Sequence, residues 1–392
     1  MRSAEGSTSD VLVEGRPMRV LALSDHLGHA GGKVHGGTTY FVSVLPALKE
    51  AGVQLTVCFM SYAHPAAEQL VSRGVDPIFL NRHWADPRAY RDVKHIVARN
   101  DIQMVHLASL KSHYVGRLIA RRLGLRSIIH LHDTKRLPLP IRLLQKTVAE
   151  HTDLALAVSD PVGELGVSEY GLPQEKVRTL HNGIDVERFA DVDREARSRV
   201  RMELGLGEEA KVIGIIGRLA DMKGQPYAIR AMPMVLEKVP EAILVLVGEG
   251  ETRRRCEALV GELGLERCVK LVGQRSNMPE VLAALDVVAM PSMFGEGLPY
   301  AAIEALAAGR PVVGFPTAGI PEVVVDGETG LLVPPGDVDG LAQALIRVLG
   351  DDELRERMSV GARKDAQRFT IARHVDSLIA IYRELLTTPS AS

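Results

Sequence analysis

Apolar and polar positions fall into two repeating patterns along the chain: runs of about five to seven mostly apolar residues, and longer stretches in which apolar residues recur three and four apart. The first pattern predicts buried strands and the second helices, and the two alternate. Residues 18–24 read as a strand, 31–37 as a glycine-rich loop, and 38–50 as a helix with Phe41, Val44, Leu45 and Leu48 on one face. Strands follow at 54–60, 75–80, 104–108, 127–132 and 154–159. A second series runs through 211–217, 243–248, 269–273, 287–290 and 311–315, with helical segments between most of them. This alternation predicts an α/β chain of two Rossmann-like, doubly wound parallel-sheet domains. Ligands of such sheets sit beyond the carboxyl ends of the strands, so two domains facing each other would enclose a central cleft.

The expected boundaries are residues 18–183 for the first domain and 184–368 for the second. Residues 1–17 read as a disordered tail and lead-in, and 369–392 as a last helix at 371–386, free to cross back, with a disordered end. A chain of 392 residues with 46% apolar and 4% aromatic residues, 36 glycines and 21 prolines suits two domains of an α/β enzyme. A net charge of -2 predicts no general affinity for nucleic acid. Cys58, Cys256 and Cys268 lack the spacing of a zinc ribbon or a redox dithiol, which fits a reducing cytoplasm. No signal peptide and no membrane span are expected, because residues 1–10 are small and polar and no run of about 18 apolar residues occurs.

The densest chemistry lies at residues 294–313. Glu296 and Glu304 stand there with seven residues between them, Glu296 in a loop with Gly295 and Gly297, and Glu304 on a helix. Pro299 suits the first helical position, and Gly309 with Pro311 ends the helix before a strand at 312–315. Free backbone N–H groups at a helix start attract an anion, while carboxylates accept hydrogen bonds from sugar hydroxyls. The competing reading is an amphipathic helix with solvated glutamates. At the end of the first strand of the second domain, residues 217–224 carry Arg218 and Lys223, either a diphosphate grip or a solvated turn.

His132 closes an apolar strand, either as a catalytic group at the strand end or as a structural histidine, while His130 is expected to point elsewhere. The loop at 31–37 could cover phosphates, yet it lacks the Gly-x-Gly-x-x-Gly spacing. Residues 54–60 also lead into Ser61 and Tyr62 rather than an acid, which disfavours dinucleotide binding and hydride transfer. No metal site is expected, since no Asp-x-Asp triplet ends a strand and no histidine and carboxylate cluster has metal-ligand spacing.

Gly217-Arg218 with Lys223-Gly224, Gly248-Glu249-Gly250, Pro291-Ser292, the Glu296 and Glu304 pair, and Gly330-Leu331-Leu332 together resemble a family 4 glycosyltransferase of GT-B fold. Gly36-Gly37, His132-Asp133, Ser159 and Asn182-Gly183-Ile184-Asp185 agree in the first domain, so the resemblance covers the chain from Met18 to about Leu386. It implies transfer of a hexosyl group from a nucleotide diphosphate sugar, such as a UDP-sugar or GDP-sugar, to an acceptor hydroxyl. Configuration would be retained, and no cofactor or divalent metal bound. Arg218 and Lys223 would neutralise the diphosphate, Glu304 would hold the ribose, and Glu296 with Gly297 and Leu298 would contact the sugar, with His132 reaching it from the other domain. Gly36, Gly37, Gly248, Ser276, Asn277 and Met278 would complete the donor site.

Three rival readings stay open at this level: a nucleotide-sugar epimerase, a sugar phosphorylase on the same fold, and a non-catalytic sugar-nucleotide-binding subunit. Residues 111–146 add nine Lys and Arg against the single acid Asp133. That stretch is a solvated helix face, a contact for an anionic acceptor, or a peripheral contact at the inner membrane face.

Overall fold

Six-residue runs such as Arg-Val-Leu-Ala-Leu-Ser can be apolar on both faces only where helices cover both sides of a sheet, which is the environment of parallel strands. A computed structural model describes residues 11–28, 36–82 and 86–388, and within it the chain divides into two compact units. One comprises Met1–Gly183 with Ile371–Ser392, the other Ile184–Thr370.

The first unit holds a seven-stranded sheet of β1 (Arg19–Ser24), β2 (Gln54–Phe59), β3 (Ile78–Phe79), β4 (Met104–Leu107), β5 (Arg126–Leu131), β6 (Leu154–Ala157) and β7 (Val177–Thr179). The spatial order is β3-β2-β1-β4-β5-β6-β7, and every neighbouring pair is parallel. Val20, Leu21, Met104, Val105, Ile128 and Ile129 are fully buried in its centre.

The second unit repeats the plan with β8 (Lys211–Ile216), β9 (Ala242–Val247), β10 (Val269–Gly273), β11 (Val287–Met290), β12 (Val312–Gly314) and β13 (Gly330–Leu332), ordered β10-β9-β8-β11-β12-β13 and again all parallel. In both sheets the first strand of the unit lies between the second and the fourth. The strand order therefore reverses at β1/β4 and at β8/β11, the points where open α/β sheets bind ligands.

Several boundaries differ from the periodicity. Residues 11–17 form a two-stranded antiparallel hairpin, Leu12–Val13 with Arg16–Pro17, turning through Glu14 and Gly15 at positive φ; the tails at 1–10 and 389–392 lie outside the described residues. Helix α1 (Gly36–Glu50) starts two residues early, so Gly36 and Gly37 are its first residues rather than loop, and 31–35 lie outside the described residues. β3 has only two residues, since Pro77 before it has no N–H to donate to a ladder. β7 and β13 escaped notice because each has three residues, too few for a period-2 pattern.

Helix α2 (Leu110–Leu123) starts in a capping box of Ser109 and Ser112 and ends at Gly124 with φ 66°. The Asp25 carboxylate beyond β1 accepts from the Lys111 and Ser112 amides at 2.9 and 2.7 Å, fixing that helix to the sheet edge. The short α3 (Leu139–Lys146) follows. The last helix, α4 (Ile371–Thr387), belongs to the first unit and is tied there by Arg178 and Glu384, bonded at 2.6 Å, and by Arg126 donating to the Thr388 carbonyl.

Candidate active site

Two loops of the second unit approach backbone to backbone. A Cβ on Gly224, at φ 66°, would lie 1.9 Å from the Pro291 carbonyl oxygen, so only glycine lets the turn Asp221–Lys223 meet the end of β11. Met293 N donates to Met222 O at 2.9 Å across the same junction. The consequence is an ion pair: Lys223 Nζ lies 2.5 Å from Glu296 Oε1, and Ser292 Oγ donates to the same oxygen at 2.8 Å. Those side chains are 19% and 7% exposed, so the pair is largely dry and its bonds are strengthened accordingly. The Gly319 amide donates to the Glu296 carbonyl at 3.0 Å, and Thr317 Oγ1 to the Ser292 carbonyl at 2.7 Å, which holds the carboxylate from its backbone side.

Glu304 stands apart from that cluster. It lies one turn beyond Tyr300 on the helix Tyr300–Ala307, so the two side chains share a face. Burial pushes the Glu304 carboxyl up to about 7, against the opposing charge of Arg188. Burial, then the Glu304 charge, also raises the Tyr300 hydroxyl, which is buried with no hydrogen-bond partner among the described residues. A buried carboxyl and phenol of this kind are groups that a bound ligand can satisfy. Tyr300 escaped sequence reading because a single aromatic at a helix start carries no spacing signal. Pro299 precedes the helix in extended conformation, φ -75° and ψ 105°, and so is the cap rather than the first helical residue.

Arg218 is exposed, and its ion-pair partner among the described residues is Glu251, at 3.9 Å. Gly248, at φ 145°, lies so close to the Gly217 carbonyl that a Cβ would fall 2.0 Å from it, which keeps the ends of β8 and β9 tight. Leu298 is buried beside Gly297. Asn277 precedes the helix Met278–Ala284 and accepts from Arg275 Nε at 3.3 Å. Ser276 and Asn277 line an open cleft of about 540 Å³ with Arg188, Arg199, Asp191 and Asp193.

In the first unit, His132 follows β5 directly. His130 does not point elsewhere: its ring stacks on that of His132, centroids 4.1 Å apart, because residues two apart on a strand share a face. Tyr40, from α1, meets His132 edge-on at 4.9 Å. His106 Nε2 is 3.1 Å from His130 Nδ1, and Tyr382 Oη is 2.5 Å from His106 Nδ1. His374 on α4 lies 3.4 Å from Tyr40 Oη. Burial drives His106 down to about 3 and His374 to about 4, and holds His130 and His113 well below their ordinary value, so these rings are neutral.

The basic stretch 111–146 is not one surface. Arg117 is fully buried, donating to the His113 carbonyl at 2.7 Å and to Thr152 Oγ1 at 3.1 Å, and Arg126 pairs with Asp153 at 2.9 Å. Around α3, in contrast, Lys135, Arg136 and Lys146 are exposed beside Leu139, Leu143 and Leu144, which are 57%, 55% and 42% exposed. Among the described residues no helix is long and apolar enough to cross a membrane.

Residues 34–188 match the family described as Glycosyltransferase Family 4, and 196–365 match Glycosyl transferases group 1. The D-inositol 3-phosphate glycosyltransferase of Corynebacterium jeikeium is 33% identical over 253 residues, 62% of this chain and 60% of that protein. A second such enzyme, from Corynebacterium urealyticum, is likewise spanned over 60% of its length. The GDP-mannose-dependent alpha-(1-6)-phosphatidylinositol monomannoside mannosyltransferase of Mycolicibacterium smegmatis is 32% identical over 290 residues, 71% of this chain and 75% of that one. Among solved structures, Anabaena HepE in complex with UDP superposes with a TM-score of 0.82 at 21% identity, covering 94% of this chain and all of that one. That likeness gives the fold as GT-B.

Proposed function

Since the chain belongs to glycosyltransferase family 4, we propose that it is a retaining hexosyltransferase, moving a hexosyl group from a nucleotide diphosphate sugar to an acceptor hydroxyl without a divalent metal. The observation that carries this reading is the Lys223, Ser292 and Glu296 cluster beside the reversal of strand order at β8/β11. As the bond to the leaving diphosphate breaks, negative charge grows on it, and cations already in place lower the barrier by a few kcal/mol each. Lys223 supplies one such cation and the exposed Arg218 a second. Glu304 accepts from the ribose hydroxyls, Tyr300 adds a phenol beside it, and His132 hydrogen-bonds the transferred sugar. Gly36, Gly37, Gly248, Ser276, Asn277, Met278, Gly297 and Leu298 complete the proposed donor contacts.

Retention follows two routes in principle, double displacement through a glycosyl-enzyme or attack on the face the leaving group vacates. The first needs a carboxylate free to act as nucleophile, with a second about 5 Å away across the reacting bond. One Glu296 oxygen is already held by Lys223 and Ser292, and Glu304 is given to the ribose, so the second route is favoured. The names of relatives and neighbours, which specify GDP-mannose, UDP and UDP-glucose, support a nucleotide-sugar donor, while D-inositol 3-phosphate and a phosphatidylinositol mannoside favour an inositol-containing or lipid-linked acceptor. The exposed leucines and cations of α3 suit peripheral contact with an anionic membrane at the cytoplasmic face.

The test is product analysis with UDP-glucose and GDP-mannose, with and without chelator. Nucleoside diphosphate release, an anomeric proton signal matching the donor and unchanged turnover in chelator are expected. Inversion, release of sugar phosphate, donor epimerisation, a glycosylated Glu296 in the mass spectrum, or loss of activity restored by magnesium would each overturn the corresponding part. Donor binding without turnover across a wide acceptor panel would reduce the chain to a binding subunit.

A further inference from the structure

Strand register sets two loops of the second unit side by side. Met290, the last residue of β11, pairs with Gly314, the last of β12, and the Phe315 amide donates to the Met290 carbonyl at 3.1 Å. The chain beyond β11 carries Ser292 and Glu296, while the chain beyond β12 makes a tight turn over residues 315–319. Inside that turn the Thr317 amide donates to the Phe315 carbonyl at 2.8 Å, and the Ile320 amide to the Thr317 carbonyl at 3.1 Å. Two further bonds reach across to the neighbouring loop. Thr317 Oγ1 donates to the Ser292 carbonyl at 2.7 Å, and the Gly319 amide to the Glu296 carbonyl at 3.0 Å. A Cβ on Gly319 would fall 2.1 Å from the Gly297 carbonyl oxygen, so the turn lies directly on the backbone that carries Glu296.

Between the two bracing bonds stands Ala318, half-buried and at φ 48°. That left-handed conformation is strained for any residue with a Cβ, whereas glycine adopts it freely. Among the described residues three other non-glycine residues have positive φ, Glu14, Asn81 and Asp101, and all three are exposed polar residues of the first unit. Strain of this kind clusters at functional sites, where the surrounding structure holds a residue in a conformation it disfavours. Alanine also has fewer backbone conformations than glycine, so the turn moves less. We propose that Thr317 and Ala318 are positioning residues for Glu296: the strained turn they form braces both ends of the loop from Ser292 to Glu296 and aims the carboxylate at the transferred sugar. Glu296 Oε1 meets both Lys223 Nζ and Ser292 Oγ, which leaves Oε2 for a sugar hydroxyl. A shift of either braced carbonyl turns that oxygen away, and a misaimed carboxylate lowers turnover more than it lowers affinity for the nucleotide.

The proposal rests on the reading that Glu296 touches the transferred sugar, so one arm of the test does not depend on activity. In crystal structures of the ligand-free full-length protein, wild type and Thr317→Ser should show one Glu296 conformation, its carboxylate on Lys223 and Ser292. Thr317→Val, similar in shape but without the hydroxyl, and Ala318→Gly should show that carboxylate displaced or split between conformations. Glu296 unmoved in both variants would overturn the proposal even if glycosyl transfer is established. The second arm measures nucleoside diphosphate release from UDP-glucose or GDP-mannose. Thr317→Val should lower turnover by about tenfold at a nearly constant donor KM, Thr317→Ser should restore most of it, and Thr317→Val should cost nothing further in a Glu296→Ala background. An equal loss with and without Glu296 would mean that Thr317 only supports the fold. Ala318→Gly should lose about threefold in turnover yet melt no lower than wild type, since strain is relieved; a joint fall in melting temperature and turnover would make Ala318 a stability residue alone. Where Thr317→Val does not fold, Ala318→Gly serves in both arms. No release by wild type would sink the transferase reading, and the crystal structures would then decide the brace by themselves.

Discussion

The two units share one strand order and differ in the chemistry they bury. All 13 histidines of the chain lie outside residues 184–370, and in the first unit the rings of Tyr40, His106, His130, His374 and Tyr382 bond to one another and to the His181 carbonyl. The second unit has none and buries carboxylates instead, one paired with Lys223 and one, Glu304, beside the buried phenol of Tyr300. A common scaffold thus carries an uncharged cluster at one switch point and a charged one at the other. The difference follows from desolvation: a buried imidazole escapes the cost by losing its proton near neutrality, whereas a carboxylate must find a cation, gain a proton, or wait for a ligand.

The broadest test of that contrast is acid. The buried histidines have folded-state values depressed to about 3 for His106 and about 4 for His374, against an ordinary 6.5. Below 6.5 the unfolded chain takes up protons that the folded unit refuses. Each such residue then removes about 1.4 kcal/mol of stability per pH unit as pH falls toward the depressed value. Glu304 has the opposite sign: raised to about 7 from 4.5, it stabilises the second unit below 4.5 and that contribution is lost as pH rises through 7. The first unit should therefore open first at pH 5. Cys58 and Cys256 are both fully buried, one in each unit, so labelling with a dipyridyl disulfide in mild urea reads the two separately. Cys256 reacting first, or both together, would break the comparison.

Next in size is the ion pair. Lys223→Ala should reduce turnover by about a hundredfold or more with an unchanged circular dichroism spectrum, because the leaving group loses a cation and Glu296 its partner. Turnover within a few-fold of wild type would remove Lys223 from the mechanism.

Glu304→Gln sharpens the contrast inside the second unit. Its donor KM should rise by about tenfold at pH 8 with little change in turnover, since ribose hydroxyls lose a carboxylate acceptor. The ligand-free protein should melt slightly higher at the same pH, because a buried charge is gone. In wild type, donor KM should rise as pH falls through about 7, where Glu304 takes up its proton. A fall in turnover at constant KM would move Glu304 to the reacting centre.

The smallest effect belongs to the surface. Leu143→Ser with Leu144→Ser should weaken cosedimentation with phosphatidylglycerol vesicles by about fivefold and leave donor turnover unchanged, and salt should weaken the remaining binding. Equal binding by the double variant would leave α3 a solvated helix.

Period-2 and period-3.6 patterns are properties of neighbouring residues, so the two α/β units, most strand positions, the glycine-bearing loops with Arg218, Lys223 and Glu296, and the helix with Glu304 could be read from the chain directly. The alternation rule also placed His130 on the same face as His132, although the expectation sent it elsewhere. Other features needed the fold. Lys223 and Glu296 are 73 residues apart, and His106 and Tyr382 are 276 apart; no local pattern encodes such pairs. They meet because sheet order brings distant strand ends side by side and a last helix belongs to the first unit, and burial there decides which groups keep their charge.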